Sequence, residues 1–159
     1  MTTTTATLPF DSPVGRLVLE CDGDILIGIW LPSESRSRRP PVDDDVPPVL
    51  KETANQLEAY FAGERVDFDV PMELDGTDFQ REVWAELSRI PYGETISYGE
   101  LARRVRRPKG PRAVGQANGR NPIPIIVPCH RVLASNGIGG YGGGLPMKRA
   151  LLAVEGVSA

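Results

Sequence analysis

The 159 residues suffice for one ordinary domain or two small ones, and 40% hydrophobic with 25% charged residues is a globular composition. No apolar run approaches the roughly 20 residues that span a bilayer, and Met1–Thr7 lacks the basic start and apolar core of a signal peptide, so a cytoplasmic protein with no membrane partner is expected. Two cysteines, far apart at 21 and 129, and one histidine, His130, are too few for a structural zinc site, which needs about four ligands, and a disulfide is not expected in a reducing cytosol.

The net charge of −3 hides an asymmetry. From Leu101 to Val154 there are ten Lys and Arg and no Asp or Glu, so the rest of the chain carries a formal −13. A basic half points to a polyanionic partner, although a solvated basic face has the same composition.

In chain order, Arg16–Glu20 and Asp24–Trp30 read as strands joined by the turn residues Asp22 and Gly23, with Thr4–Phe10 as a third strand. Cys21 is expected to be buried in this hairpin, and Trp30 in the core. Residues 31–48, with five prolines and two charge blocks, read as a loop. Leu50, Ala54, Leu57 and Phe61 recur at helical spacing and Gly63 stops the helix. Val66–Val70 reads as a short strand. The first unit is therefore a small α/β domain over 1–71.

The second unit, 76–159, is helical. Thr77 and Gln80 suit a capping box, followed by Phe79, Val83, Trp84 and Leu87 on one face. Ser97 and Glu100 suit another, opening a helix to about Val105. Pro108 and Gly110 interrupt it, and Pro111 starts the next helix, which ends at Gly119. Two short helices across a tight turn make a helix-turn-helix. The second carries Arg112, Ala113, Gly115 and Ala117, small residues that admit either another helix or a DNA groove. Asn121–Val127 is apolar and proline-punctuated, Gly137–Gly144 is glycine-rich around Tyr141, and Pro146–Glu155 is a last amphipathic helix.

Cys129 lies between this apolar run and the basic pair His130–Arg131. Positive surroundings lower a thiol pKa and create a nucleophile; a buried thiol packed as a small hydrophobe is the alternative.

The segment Asn121-Pro122-Ile123-Pro124-Ile125-Ile126-Val127-Pro128-Cys129-His130-Arg131-Val132 closely resembles the active-site motif of the O6-alkylguanine-DNA alkyltransferases. Pro91–Thr95, Ser97–Ala102, Arg112–Gly115, Tyr141–Gly144 and Leu151–Gly156 follow in that family's order. The resemblance is strong over Gly76–Val157 and only general before it. It implies an α+β fold, a ribonuclease-H-like first domain and a winged-helix, helix-turn-helix-like second domain. It also implies a single-turnover transferase that moves the alkyl group of O6-alkylguanine, and in some cases O4-alkylthymine, in double-stranded DNA onto Cys129. His130 would act as base through a water and Glu155 would orient it. Asn121 would pin the turns that bring Cys129 to the recognition helix, and Tyr98 would assist departure of the base. Arg112 would fill the gap left by the flipped nucleotide. Ala113, Gly115, Ala117, Tyr98 and Arg131 would meet DNA. Val132, Tyr141, Gly142 and Gly143 would line the alkyl pocket.

No cofactor is required, because the alkyl carbon is already electrophilic, and a monomer is expected, with cooperativity on DNA left open. Some members bind zinc in the first domain; the ligands for it are missing here. The loop between His130 and Tyr141 is one residue shorter than the family pattern, and Gly142 stands where some members carry serine; Gly142 and Gly143 together are expected to leave room for larger alkyl groups. Two rivals share these residues: a DNA-binding module without transfer activity, and a cysteine hydrolase using Cys129, His130 and Glu155.

Overall fold

A computed structural model describes residues 5–32, 45–106, 110–134 and 136–158. Most of the proline-rich stretch read as a loop, and Pro108 in the helix-turn-helix, lie outside these residues. The chain divides into two compact units, Met1–Leu74 and Asp75–Ala159.

In the first unit, β1 (Thr5–Ser12), β2 (Gly15–Asp22) and β3 (Ile25–Trp30) form an antiparallel sheet in sequential order. Alternation along β2 puts Leu17, Leu19 and Cys21 on the covered face, all fully buried. Helix α1 (Pro48–Phe61) packs on the sheet through Leu50, Leu57 and Tyr60. Each such side chain contributes roughly 1.5–3 kcal/mol on burial. Pro9 is tolerated because β1 is an edge strand.

Three expectations for this unit are corrected. The buried face of α1 includes Thr53 and Tyr60, while Ala54 and Phe61 are only half-buried. Thr53 can be buried because its hydroxyl donates to the Val49 carbonyl at 2.7 Å. Trp30 is half-buried, not core. It pairs with Val18 on the face of the sheet opposite Leu19, where its indole N–H donates to Glu20 Oε1 at 3.1 Å. Val66–Val70 is not a strand. The chain meets the sheet slightly later, at Met72, through a single parallel bridge to Leu26. There Leu26 N–H donates to the Pro71 carbonyl and Glu73 N–H to the Leu26 carbonyl.

The second unit begins with α2 (Asp78–Leu87), which has the Thr77/Gln80 capping box. Trp84 is buried, and its indole N–H donates to the Ala117 carbonyl at 2.9 Å. A Cβ on Gly76 would stand 2.4 Å from the Trp84 ring, so only glycine fits there. Helix α3 (Tyr98–Arg104) is capped by Ser97. Its capping box is incomplete: the Glu100 carboxylate turns forward to Arg103 and Arg104, where three charge-assisted bonds replace one backbone bond. Helix α4 (Gly110–Gly119) packs on α2 and α3 and completes the helix-turn-helix. Strands β4 (Ile96–Ser97) and β5 (Val132–Leu133) pair in parallel, and α5 (Leu145–Val154) packs behind the 3-10 turn Cys129–Arg131. Among the described residues no helix is long and apolar enough to cross a membrane.

Candidate active site

Cys129 opens the 3-10 turn that follows the apolar loop 121–128. The loop is held by Asn121, whose amide donates to the Val127 carbonyl at 2.7 Å and whose oxygen accepts from Ile123 N–H at 3.0 Å. Inside it Ile125 is fully buried at φ 76°. A β-branched residue in that region is strained by roughly 1–3 kcal/mol, which the surrounding packing must overcome. A second amide, Asn118 on α4, donates to the Cys129 carbonyl at 3.2 Å. The helix-turn-helix is thereby fastened to the cysteine turn.

His130 is fully buried and its Nε2 lies 2.6 Å from Glu155 Oε2. Glu155 also accepts from Arg131 Nε at 2.8 Å, from Arg131 Nη2 at 3.1 Å and from Gly93 N–H at 3.0 Å. Burial opposes the charge on Glu155, but the bonds from His130 and Arg131 outweigh it and hold the carboxyl at about 2. Burial draws His130 below its usual value, against the pull of Glu155. With an ionised carboxylate on Nε2, the neutral ring carries its proton there and its basic lone pair on Nδ1.

Of the two readings left open for Cys129, a nucleophile acidified by basic neighbours and a buried thiol, the structure favours the buried one at rest. Burial pushes Cys129 up to about 11, outweighing hydrogen bonding from Asn121, the charge of Lys148 and hydrogen bonding from Tyr141. Desolvation of the thiolate exceeds the attraction of the nearby cation. The resting cysteine is a thiol that needs a base.

Two assignments to DNA contact are also corrected. Arg131 is buried, paired with Glu155, and donates to the Ile90 carbonyl at 2.6 Å. Ala117 is buried against the unit's own core. In contrast, Arg112 is exposed, and Ala113 and Gly115 are partly exposed. Gly115 faces Tyr98: a Cβ there would lie 3.8 Å from its ring. The Tyr98 hydroxyl donates to the Gly140 carbonyl at 3.4 Å, and burial raises its pKa, with Cys129 adding to the rise. Val132 is fully buried, whereas Tyr141 and Gly143 are partly exposed and Gly142 is exposed.

Asn118 and Lys148 were missed by the sequence reading. Asn118 stood only as an unnamed position in the last turn of the helix ending at Gly119. Lys148 carried a readable signal, since it shares the face of Met147, Leu151 and Leu152.

Two family models match the chain: the 6-O-methylguanine DNA methyltransferase ribonuclease-like domain over residues 4–74 and the DNA binding domain of the same enzyme over 78–157. The chain belongs to the O6-methylguanine-DNA methyltransferase family. It is 49% identical to the methylated-DNA–protein-cysteine methyltransferase of Mycobacterium tuberculosis, over 91% of this chain and 88% of that protein. The Methanosarcina acetivorans protein of the same name is 46% identical over 92% and 96%. The crystal structure of M. tuberculosis OGT in complex with DNA superposes with a TM-score of 0.83 at 48% identity, covering 95% of this chain and 91% of that one. The family's two-part architecture, a ribonuclease-like domain before a DNA-binding one, is thus the one expected from the resemblance.

Proposed function

We propose that this methyltransferase-family chain repairs duplex DNA by direct reversal, taking the alkyl group of an O6-alkylguanine onto Cys129 once per molecule. The observation that carries this reading is the Asn118–Cys129 bond, which ties the candidate nucleophile to the helix with exposed Arg112. Arg112, Ala113 and Gly115 meet the minor groove, and Arg112 takes the place of the flipped nucleotide. Arg106, Arg112, Arg120 and Arg149 are among the exposed basic residues of the second unit and can meet phosphates.

The chemistry follows from a thiol held near 11. His130 takes the Cys129 proton through a water, and Glu155 stabilises the imidazolium. The sulfur attacks the alkyl carbon, the S–C bond forms, and the C–O6 bond breaks with its electron pair on guanine O6. Tyr98 supplies a proton at guanine N3 and recovers one from solvent, while His130 releases its own. The thioether resists hydrolysis, so each molecule acts once. Tyr141, Gly142, Gly143 and Val132 bound the alkyl pocket in this reading. The chain acts as a monomer in the cytoplasm.

The test is incubation with duplex DNA carrying a tritiated O6-methyl group. One label per protein, on Cys129, is expected. Binding without label means a DNA-binding module, and many turnovers per protein mean a hydrolase.

A further inference from the structure

Lys148 has no exposed surface, although it is a lysine in the middle of the apolar face of α5. An ammonium is costly to bury unless it is paired and hydrogen-bonded. Its Nζ donates to the Val132 carbonyl at 2.6 Å and to the Gly140 carbonyl at 3.0 Å, and lies 5.8 Å from the centre of the Tyr98 ring. Among the described residues no carboxylate lies within ion-pair distance of it.

The last helix packs on the 3-10 turn, so the charge of Lys148 acts on Cys129 and His130 there, and its Nζ lies over the Tyr98 ring of α3. Beyond His130, Glu155 and Arg131 neutralise one another. His130 is held neutral by burial and Tyr98 is a phenol. The buried cluster therefore carries one uncompensated positive charge, and the anion formed beside it during transfer is the Cys129 thiolate.

We infer that Lys148 is the built-in counter-charge of the Cys129 thiolate, held in place by the carbonyls of β5 and of the pocket loop. This rests on Cys129 being the acceptor in the reading above. Lys148 is a positioning residue: it touches neither alkyl group nor base, but it stabilises the sulfur anion as His130 takes the proton. Its two bonds also fix residue 140 to β5, so the same side chain sets the wall of the alkyl pocket. The direction of the titrations agrees. Burial lowers Lys148 to about 8 while Cys129 opposes the fall, so the ammonium predominates at neutral pH and is lost above pH 8.

The inference is tested without DNA, in a Cys21→Ala background that leaves Cys129 as the one thiol. The pH dependence of its alkylation by iodoacetamide is followed for wild type, Lys148→Met and Lys148→Arg, with melting curves to establish folding. In Lys148→Met the reaction at pH 7 is expected to be roughly tenfold slower, and the two profiles should converge above pH 8, where the wild type has lost its ammonium. Lys148→Arg should recover most of the rate. Superimposable profiles for wild type and Lys148→Met, or an arginine variant no better than methionine, overturn the charge role. Should Lys148→Met not fold, the wild type decides. The rate ratio of anionic iodoacetate to neutral iodoacetamide should fall several-fold between pH 7 and 9.5 as the ammonium is lost, and a flat ratio overturns the inference. Label transfer from O6-methylguanine DNA stands or falls separately from each of these readouts.

Discussion

Arg131 and Glu155 form a buried two-pronged ion pair, with Arg131 Nε 2.8 Å from Oε1 and Nη2 3.1 Å from Oε2. The arginine thus keeps charged the carboxylate that holds His130. Replacing it with methionine leaves that charge without its main cation and frees the Ile90 carbonyl. The expected loss is about 3–5 kcal/mol of stability, read from urea unfolding. DNA affinity measured below the melting point is expected to change little, because Arg131 offers DNA almost no surface.

Glu155→Gln removes the charge but keeps the shape. An amide can present N–H to Nε2 and so favour the tautomer with its proton on Nδ1, the wrong side for a base acting there. The single-turnover rate of methyl transfer should fall about 100-fold or more, while affinity for undamaged duplex stays within about twofold. An unchanged rate would remove His130 from the role of base.

Acid should unfold the second unit early. Glu155 is depressed to about 2, so its contribution is fully present above its unfolded value near 4.3 and is lost as pH falls toward 2. His130 is also lowered, so below about pH 6.5 the unfolded chain takes up a proton that the folded chain refuses. Both terms weaken the fold on acidification. The melting temperature of wild type should decline from pH 6.5 to pH 3, and Glu155→Gln should flatten the part of that decline below pH 4.5.

Gly139→Ala tests the pocket wall. Gly139 has φ 77°, and a Cβ would stand 2.9 Å from the Tyr98 ring and 3.1 Å from the Ala134 nitrogen. Backbone and ring cannot both stay where they are. A destabilisation of about 1–3 kcal/mol is expected, with a transfer rate reduced more than tenfold because Tyr98 is displaced. Calorimetry and single-turnover kinetics on the same sample check both.

Arg112→Ala separates base extrusion from chemistry. Repair of O6-methylguanine in duplex DNA should slow by at least tenfold, since nothing fills the vacated stack. Reaction with free O6-benzylguanine, which needs no extrusion, should be unaffected. Equal loss on both substrates would make Arg112 a structural residue.

Much of this protein is local in origin. The capping box at Thr77 and Gln80, the alternation along β2 and the glycine stop after α1 follow from neighbouring residues, and the sequence shows them. The pairing of His130 with Glu155 was legible only through the resemblance, because spacing alone could not bring residue 155 within 2.6 Å of residue 130. Trp30 and Phe61 were misjudged because hydrophobicity does not say which face of a strand or helix is covered. Arg131 was misjudged because a charged residue in a basic half looks exposed until its partner is found.

Composition and motif by themselves determined a two-part α+β chain with a basic helix-turn-helix and one cysteine set in a distinctive loop. Tertiary structure decided the state of that cysteine. Basic sequence neighbours favour an acidified Cys129, whereas packing raises it to about 11 and sets beside it Asn121 of its own loop and Asn118, Lys148 and Tyr98 from other segments. Desolvation depends on every atom that excludes water, and that quantity exists only once the chain has folded.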